Sequence, residues 1–210
     1  FRDLKLAELT GAKLHVPHVS TAASVEHIKE IKSTNDKITA EVTPHHLFFN
    51  DEDLLNYNTN LKVAPPIRND LSRKALIKGV KQGVIDCIAT DHAPHSLHEK
   101  ETTFDCASFG MIGLESCFGI VKRLLVDEEG LSLVNLIKLL TTAPRKIMGL
   151  NSDLFKVGVE AELVLFNPLE KWKFKKSNIF SKSINSPFYG QELIGKVRYT
   201  ISKGKIAEIL

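Results

Sequence analysis

Apolar and polar positions run along this chain in blocks whose period switches, and the blocks predict strand, helix, strand, helix, strand, helix. "AKLHVPHV" (12–19) reads as a strand. "TAASVEHIKEIKS" (21–33) sets Val25, Ile28 and Ile31 on one face behind Thr21 as N-cap, which predicts a helix. "KITAEVTP" (37–44) predicts a second strand, and "HHLFFNDEDLLN" a loop with a short helix. "LKVAPPIRN" is expected to be irregular because of Pro65-Pro66. "DLSRKALIKGVKQG" (70–83) predicts a helix capped by Asp70 and stopped at Gly83, and "VIDCIAT" (84–90) a third strand. "FGMIGLESCFGIVKRLLVDEEG" and "LSLVNLIKLLTTAPRKIMGL" predict two more helical stretches, the second ended or interrupted by Pro144. At the start, Leu4, Ala7 and Leu9, with Leu6 beside them, fit the tail of an amphipathic helix ending at Gly11.

This alternation implies parallel βα units, with strands apolar on both faces because helices cover the sheet. Chemistry in such folds gathers at the C-terminal ends of the strands. His18, the pair His45-His46, and Asp91 all fall at such ends. Beyond about residue 150 the pattern turns β-rich, in "LFKVGVEAELVLFNP" and "LIGKVRYTISKGKIAEIL", with a hairpin turn at Lys203-Gly204. The expected organisation is an α/β unit over 1–150 and a small β unit over 151–210.

Composition narrows the function classes. A length of 210 residues allows one large domain, or one medium domain with an appendage. The formal net charge of +3 is scattered and gives no reason to invoke nucleic acid. The densest basic stretch, "KWKFKK" (171–176), reads as a solvated strand face. No apolar run approaches the roughly 20 residues of a membrane helix, and the start has no signal-peptide pattern. Three cysteines without C-x-x-C spacing point to a reducing, cytoplasmic setting, with Cys87 a small core residue. The first residues read as the middle of a structure.

The candidate chemistry begins at "IATDHAPH". A carboxylate buried at a strand tip is costly unless paired or bound to metal. Histidine and aspartate suit zinc, and a catalytic site draws them from several elements. The alternative is that Asp91 caps the next loop while His92 and His95 are surface residues. With His18 at a second strand tip, the metal reading is favoured. A metal would bring the pKa of a bound water towards neutrality, and a carboxylate beside it could shuttle the proton.

Four stretches in this order, "HVPHVST" (15–21), "ITAEVTPHHL" (38–47), "APPIR" (64–68) and "ATDHAPH" (89–95), resemble the bacterial class I dihydroorotases of the amidohydrolase superfamily. The resemblance runs over essentially the whole chain, and "ATDHAPH" is its most specific item. It implies the C-terminal part of a (β/α)8 TIM-type metal-dependent hydrolase barrel, strands six to eight, plus a small β-rich appended domain. The implied activity is reversible hydrolysis of dihydroorotate to N-carbamoyl-L-aspartate in pyrimidine biosynthesis, with one or two Zn2+ ions. By the same resemblance His18 and Asp91 are metal ligands, and Asp91 is also the general acid/base. His95 binds substrate, and Phe109 and Gly110 contact it through backbone groups. His15 is expected to be a polar residue of the barrel interior, and His45 and His46 to support the site or its loops.

Departures from the family pattern matter too. Ala64 stands where many members carry a substrate-contacting Asn, and Glu162 and Asn167 stand where Asp is commoner. The family's strand-one H-x-H-x-R, its strand-four bridging ligand and its strand-five His are not found in the chain, so the chain is expected to be the second half of a longer enzyme and inactive alone. The other readings are a hydantoinase or allantoinase, or a non-catalytic homologue that scaffolds aspartate transcarbamoylase. A homodimer is the other expected assembly, and neither nucleic acid nor membrane is expected as a partner.

Overall fold

The computed structural model describes residues 1–209; Leu210, the last residue of the predicted hairpin, lies outside the described residues. Helix α1 (Arg2–Thr10) buries Leu4 and Ala7 and ends at Gly11 in the left-handed conformation, as its pattern predicts. Strand β1 (Leu14–Val16) is shorter than the predicted 12–19, because Pro17 cannot donate to a ladder. Helix α2 (Ala22–Lys32) starts behind Thr21, whose hydroxyl oxygen accepts from the Ser24 N–H, and buries Val25, Ile28 and Ile31. Strand β2 (Ile38–Val42) lies between β1 and β3 (Cys87–Ile88), and both pairings are parallel.

The sheet departs from the expected two apolar faces. In β2, Ile38, Ala40 and Val42 are buried towards the helices, whereas Thr39 and Glu41 are half-buried on the other face, where His15 joins them. One face of this sheet is therefore core and the other polar. Helix α3 (Pro44–Phe48) begins directly after β2, capped by Thr43, so His45 and His46 are helical rather than in a loop. Helix α4 (Asp70–Lys81) is capped by Asn69, not Asp70. Asp70 instead sits in the first turn and pairs with Arg73 and Lys74.

Regular pairing of β3 covers two residues of the predicted 84–90, since the Val84 and Ile85 amides bond to Gly79 O. Asp86 then anchors the strand: its carboxylate meets Lys32 Nζ at 2.7 Å and accepts the Ala40 N–H at 2.8 Å. Ile28, Leu76, Ile85, Leu125 and Leu136, all at most 1% exposed, form the main core around this sheet. Each is worth about 1.5–3 kcal/mol of burial.

After a short helix α5 (Leu97–Lys100), residues 109–113 are irregular rather than helical, because Gly110 adopts φ +130° and Met111 bridges to His92. Helix α6 (Leu114–Val121) then widens into a π-helical stretch, Lys122–Glu128. Helices α7 (Leu133–Leu140) and α8 (Thr142–Ile147) are divided at Thr141; Pro144 lies in the first turn of α8, where its missing N–H costs nothing. Strands β4 (Leu163–Lys173), β5 (Glu192–Ser202) and β6 (Lys205–Glu208) form an antiparallel sheet. Lys203 and Gly204, both at positive φ, make the β5–β6 turn. In "KWKFKK" the four lysines are exposed while Phe174 is buried, as a solvated strand face requires. Phe174, Phe188 and Leu193 pack with Phe49, Met111 and Ile120 in a second core cluster, which ties the tail to the segment following β3.

Candidate active site

Two of the four non-glycine residues at positive φ are the candidate ligands, His18 at +34° and Asp91 at +48°. Each lies just past the C-terminal end of a strand, β1 and β3. Such backbone costs of order 1–3 kcal/mol and collects at functional sites. Glu41 fixes the first turn: its Oε1 accepts the His18 N–H at 3.4 Å, and its backbone O accepts the Val19 N–H at 2.9 Å. Asp91 corrects the argument from burial, because it is exposed. Its carboxylate has no hydrogen bond or ion pair among the described residues, so its backbone conformation and free oxygens mark it, not desolvation.

Beneath His18 lies a set that the motifs did not single out. His15 Nδ1 is 2.8 Å from Thr39 Oγ1 and its Nε2 is 3.1 Å from Glu41 Oε2. Glu41 is the register partner of Cys87, and one donor atom each from His15, Glu41 and Cys87 lie within 4.8 Å of one another. This suits a metal by donor type, but the thiol is its weak member. Burial, then the Glu41 and Asp86 charges, push Cys87 up to about 12, so thiolate is disfavoured there without a cation. His15 is half-buried, and both its ring nitrogens have partners within the sheet.

The two histidines of α3 are held neutral. His46 Nε2–H donates to Pro65 O at 2.9 Å and its Nδ1 accepts from the Thr43 hydroxyl at 2.7 Å. Burial, partly offset by that carbonyl, brings its pKa down to about 4. His45 is 2% exposed, and burial first, then His46 and His18, hold it well below the usual histidine range. Its Nε2 is buried with no partner among the described residues, an orphaned donor or acceptor that is rare in a folded protein.

The residues expected to face substrate come together in the segment after β3. His95 Nε2–H donates to Phe109 O at 2.8 Å, and its Nδ1 lies 3.4 Å from Glu99 Oε1. Gly110 packs so closely on this ring that a Cβ there would sit 2.5 Å from Ala93 Cβ and 3.1 Å from His95 Nε2. Most backbone groups of Phe109 and Gly110 have partners within the chain. The Phe109 carbonyl is taken by His95, the Gly110 N–H by Lys62 O, and the Gly110 carbonyl by Asn185. Among the described residues the Phe109 N–H is the donor of this pair with no partner, and the Phe109 ring, 57% exposed, has Lys62 Nζ 4.5 Å from its centroid.

Sequence reasoning also missed two buried lysines. Lys62 Nζ donates to Asp105 O at 2.8 Å and Lys100 Nζ to Ser108 O at 2.7 Å, so both hold the 100–110 stretch. Burial, then the Lys62 charge, lowers Lys100 to about 8. Nothing in the local pattern marks either lysine, since a single Lys beside Glu or in "NLKV" reads as surface.

A parallel α/β unit with a histidine and an aspartate at its strand ends is the frame of a metal-dependent hydrolase. The chain belongs to the amidohydrolase family, whose profile matches residues 2–207. Among curated proteins it is 44% identical over 205 residues to a dihydroorotase of Caldanaerobacter subterraneus subsp. tengcongensis, covering 98% of this chain and 47% of that one. It is 41% identical to a dihydroorotase of Clostridioides difficile, covering 98% and 48%. Among solved structures it resembles an L-hydantoinase (dihydropyrimidinase) from Arthrobacter aurescens, with a TM-score of 0.89, 28% identity, and coverage of 99% and 48%. A dihydropyrimidinase from Brevibacillus agri, at TM-score 0.89 and 23% identity over 98% and 46%, shares the fold. The chain spans about half the length of the curated relatives it matches. Among the described residues no helix is long and apolar enough to cross a membrane.

Proposed function

We propose that this chain supplies strands six to eight and the appended β layer of a dihydroorotase barrel, and that the polypeptide carrying it hydrolyses and re-forms the dihydroorotate ring. The observation that carries the reading is the pairing of His18 and Asp91, both past parallel strand ends, both at positive φ, in a chain 44% identical to curated dihydroorotases. The donor chemistry fits zinc by type: an imidazole at His18 and, at Asp91, a carboxylate with no partner among the described residues. His18 and Asp91 would hold one or two such ions together with further ligands. Bound there, the metal supplies Lewis acidity towards the ring amide carbonyl and towards water.

The chain's own residues do the rest. Asp91, whose carboxylate is exposed, takes a proton from the attacking water and delivers it to the departing amide nitrogen. His95, held by Phe109 O, presents its ring edge to the substrate, and the Phe109 N–H offers a donor to a substrate oxygen. Ala64 brings no hydrogen-bonding group to that side. The small-molecule partners are dihydroorotate and N-carbamoyl-L-aspartate. Assembly as a homodimer, or with aspartate transcarbamoylase, is supported by the family resemblance alone. Free cysteines at 87, 106 and 117 accord with a cytoplasmic setting.

A hydantoinase or allantoinase is the second reading, favoured by Ala64 and by the solved L-hydantoinase that this chain resembles. A non-catalytic scaffold is opposed by the retention of His18, Asp91 and His95. Turnover of dihydroorotate, hydantoin and allantoin by the polypeptide that contains this sequence separates the three. Preference for dihydroorotate supports the proposal, preference for either other ring transfers it, and no turnover of any leaves the scaffold.

A further inference from the structure

We infer that Asn185 is a positioning residue for the substrate-side segment, an inference that rests on the roles given above to His95, Phe109 and Gly110. Asn185 lies some 75 to 92 residues away in sequence from the groups it holds, and is 5% exposed. Its Oδ1 accepts the His95 N–H at 3.1 Å. Its Nδ2 donates to Ala93 O at 3.0 Å and to Gly110 O at 3.3 Å, and its backbone O accepts the Ile112 N–H at 3.0 Å. The partners fix which way the amide points: an N–H must meet oxygen, and two carbonyls must meet the NH2 group. Both Nδ2 hydrogens are used, so no other side chain of this size makes the same set.

The consequence is geometric. One NH2 group draws the carbonyls of Ala93 and Gly110 to a single point, and that closure presses Gly110 against Ala93 and the His95 ring. A second anchor lies four residues earlier. Ser181 Oγ donates to Glu115 Oε1 and sits 3.4 Å from His92 Nε2, while the Gly113 N–H donates to His92 Nδ1 at 3.1 Å. The tail thus clasps the residues following Asp91 at His92, Ala93, His95 and Gly110. Asn185 touches neither candidate ligand, so it acts on substrate placement rather than on the proton transfer.

The test compares wild type, Asn185→Ala and Asn185→Asp in the full polypeptide that contains this sequence, by residue-level amide exchange and by dihydroorotate kinetics. In Asn185→Ala, exchange at the His95 amide should rise by about tenfold or more, while β2 amides keep their protection. KM should rise by about tenfold, with kcat changed far less. Asn185→Asp keeps the acceptor for the His95 N–H but cannot donate to Ala93 O and Gly110 O. His95 should stay protected there while KM still rises. If the alanine variant does not accumulate folded, the aspartate variant carries the test through KM. In Asn185→Ala, unchanged exchange at His95, or protection lost equally across β2 with kcat and KM moving together, overturns the inference; in Asn185→Asp, an unchanged KM does so. Should wild type not turn over dihydroorotate, the functional reading fails, and the exchange comparison still decides whether Asn185 holds the segment.

Discussion

Gly110→Ala should be among the most damaging single-methyl changes in this protein. At φ +130° an L residue is strained by about 1–3 kcal/mol. The added methyl carbon would lie 2.5 Å from Ala93 Cβ, an overlap of the kind that costs about 1–3 kcal/mol when a packed core must give way. Together these reach about 2–6 kcal/mol, the lower end if the 93–110 segment shifts to relieve the contact. For a chain of this length that corresponds to a fall in Tm of roughly 5–20 °C. Gly83→Ala is the internal control, with φ +73° and no atom within 4 Å of the new carbon, so its cost is confined to about 1–2 kcal/mol of backbone strain. Urea unfolding of both variants gives the two values, and KM for dihydroorotate shows whether relief displaced His95. If Gly110→Ala is no more destabilising than Gly83→Ala, the segment has slack and the tight approach claimed for His95 and Gly110 is wrong.

Three further outcomes follow from the buried titratable groups. At pH 8 a thiol reagent should label exposed Cys106 rapidly and leave Cys87 and Cys117, both pushed up to about 12 by burial, until the protein unfolds; rapid native labelling of Cys87 would contradict its placement. Lys100 falls to about 8 on folding, so its buried charge opposes folding below pH 8 and this penalty disappears as pH rises towards the unfolded value near 10.5. The stability of wild type relative to Lys100→Met should therefore increase between pH 8 and 10, and a flat difference in chemical denaturation would refute the shift. His46, neutral when folded with a pKa of about 4, contributes stability that is present above pH 6.5 and lost as pH falls through 6.5 to 4. His46→Gln should flatten that acid limb, and an unaltered limb would mean other groups produce it.

The order of strands and helices is legible because it rests on periods that tertiary packing did not override. Val25, Ile28 and Ile31 bury as their spacing requires, and Gly11 and Gly204 turn the chain where only local backbone freedom is at issue. The strand faces were misjudged for a different reason. His15, Thr39 and Glu41 look like interruptions within apolar runs, and only the register of β1 against β2 shows that they share a face. The stretch 109–113 reads as helix by its apolar content, yet Gly110 and the long-range bonds to Lys62 and Asn185 hold it out of a helix. His18 and Asp91 could be picked from their places after strands. Asn185, Lys62 and Lys100 could not, because what they hold lies far along the chain or is backbone carbonyl, which leaves no trace in residue type.

The central claim is that Asp91 carries the proton for a metal-dependent ring opening, and Asp91→Asn in the full polypeptide tests it most directly. The measurement is dihydroorotate turnover together with zinc content, for wild type and variant. The account predicts turnover in wild type and its loss in the variant by about 100-fold or more, in line with removal of a general acid/base, while zinc content falls by less than turnover. A variant that turns over at near the wild-type rate would contradict the role assigned to Asp91.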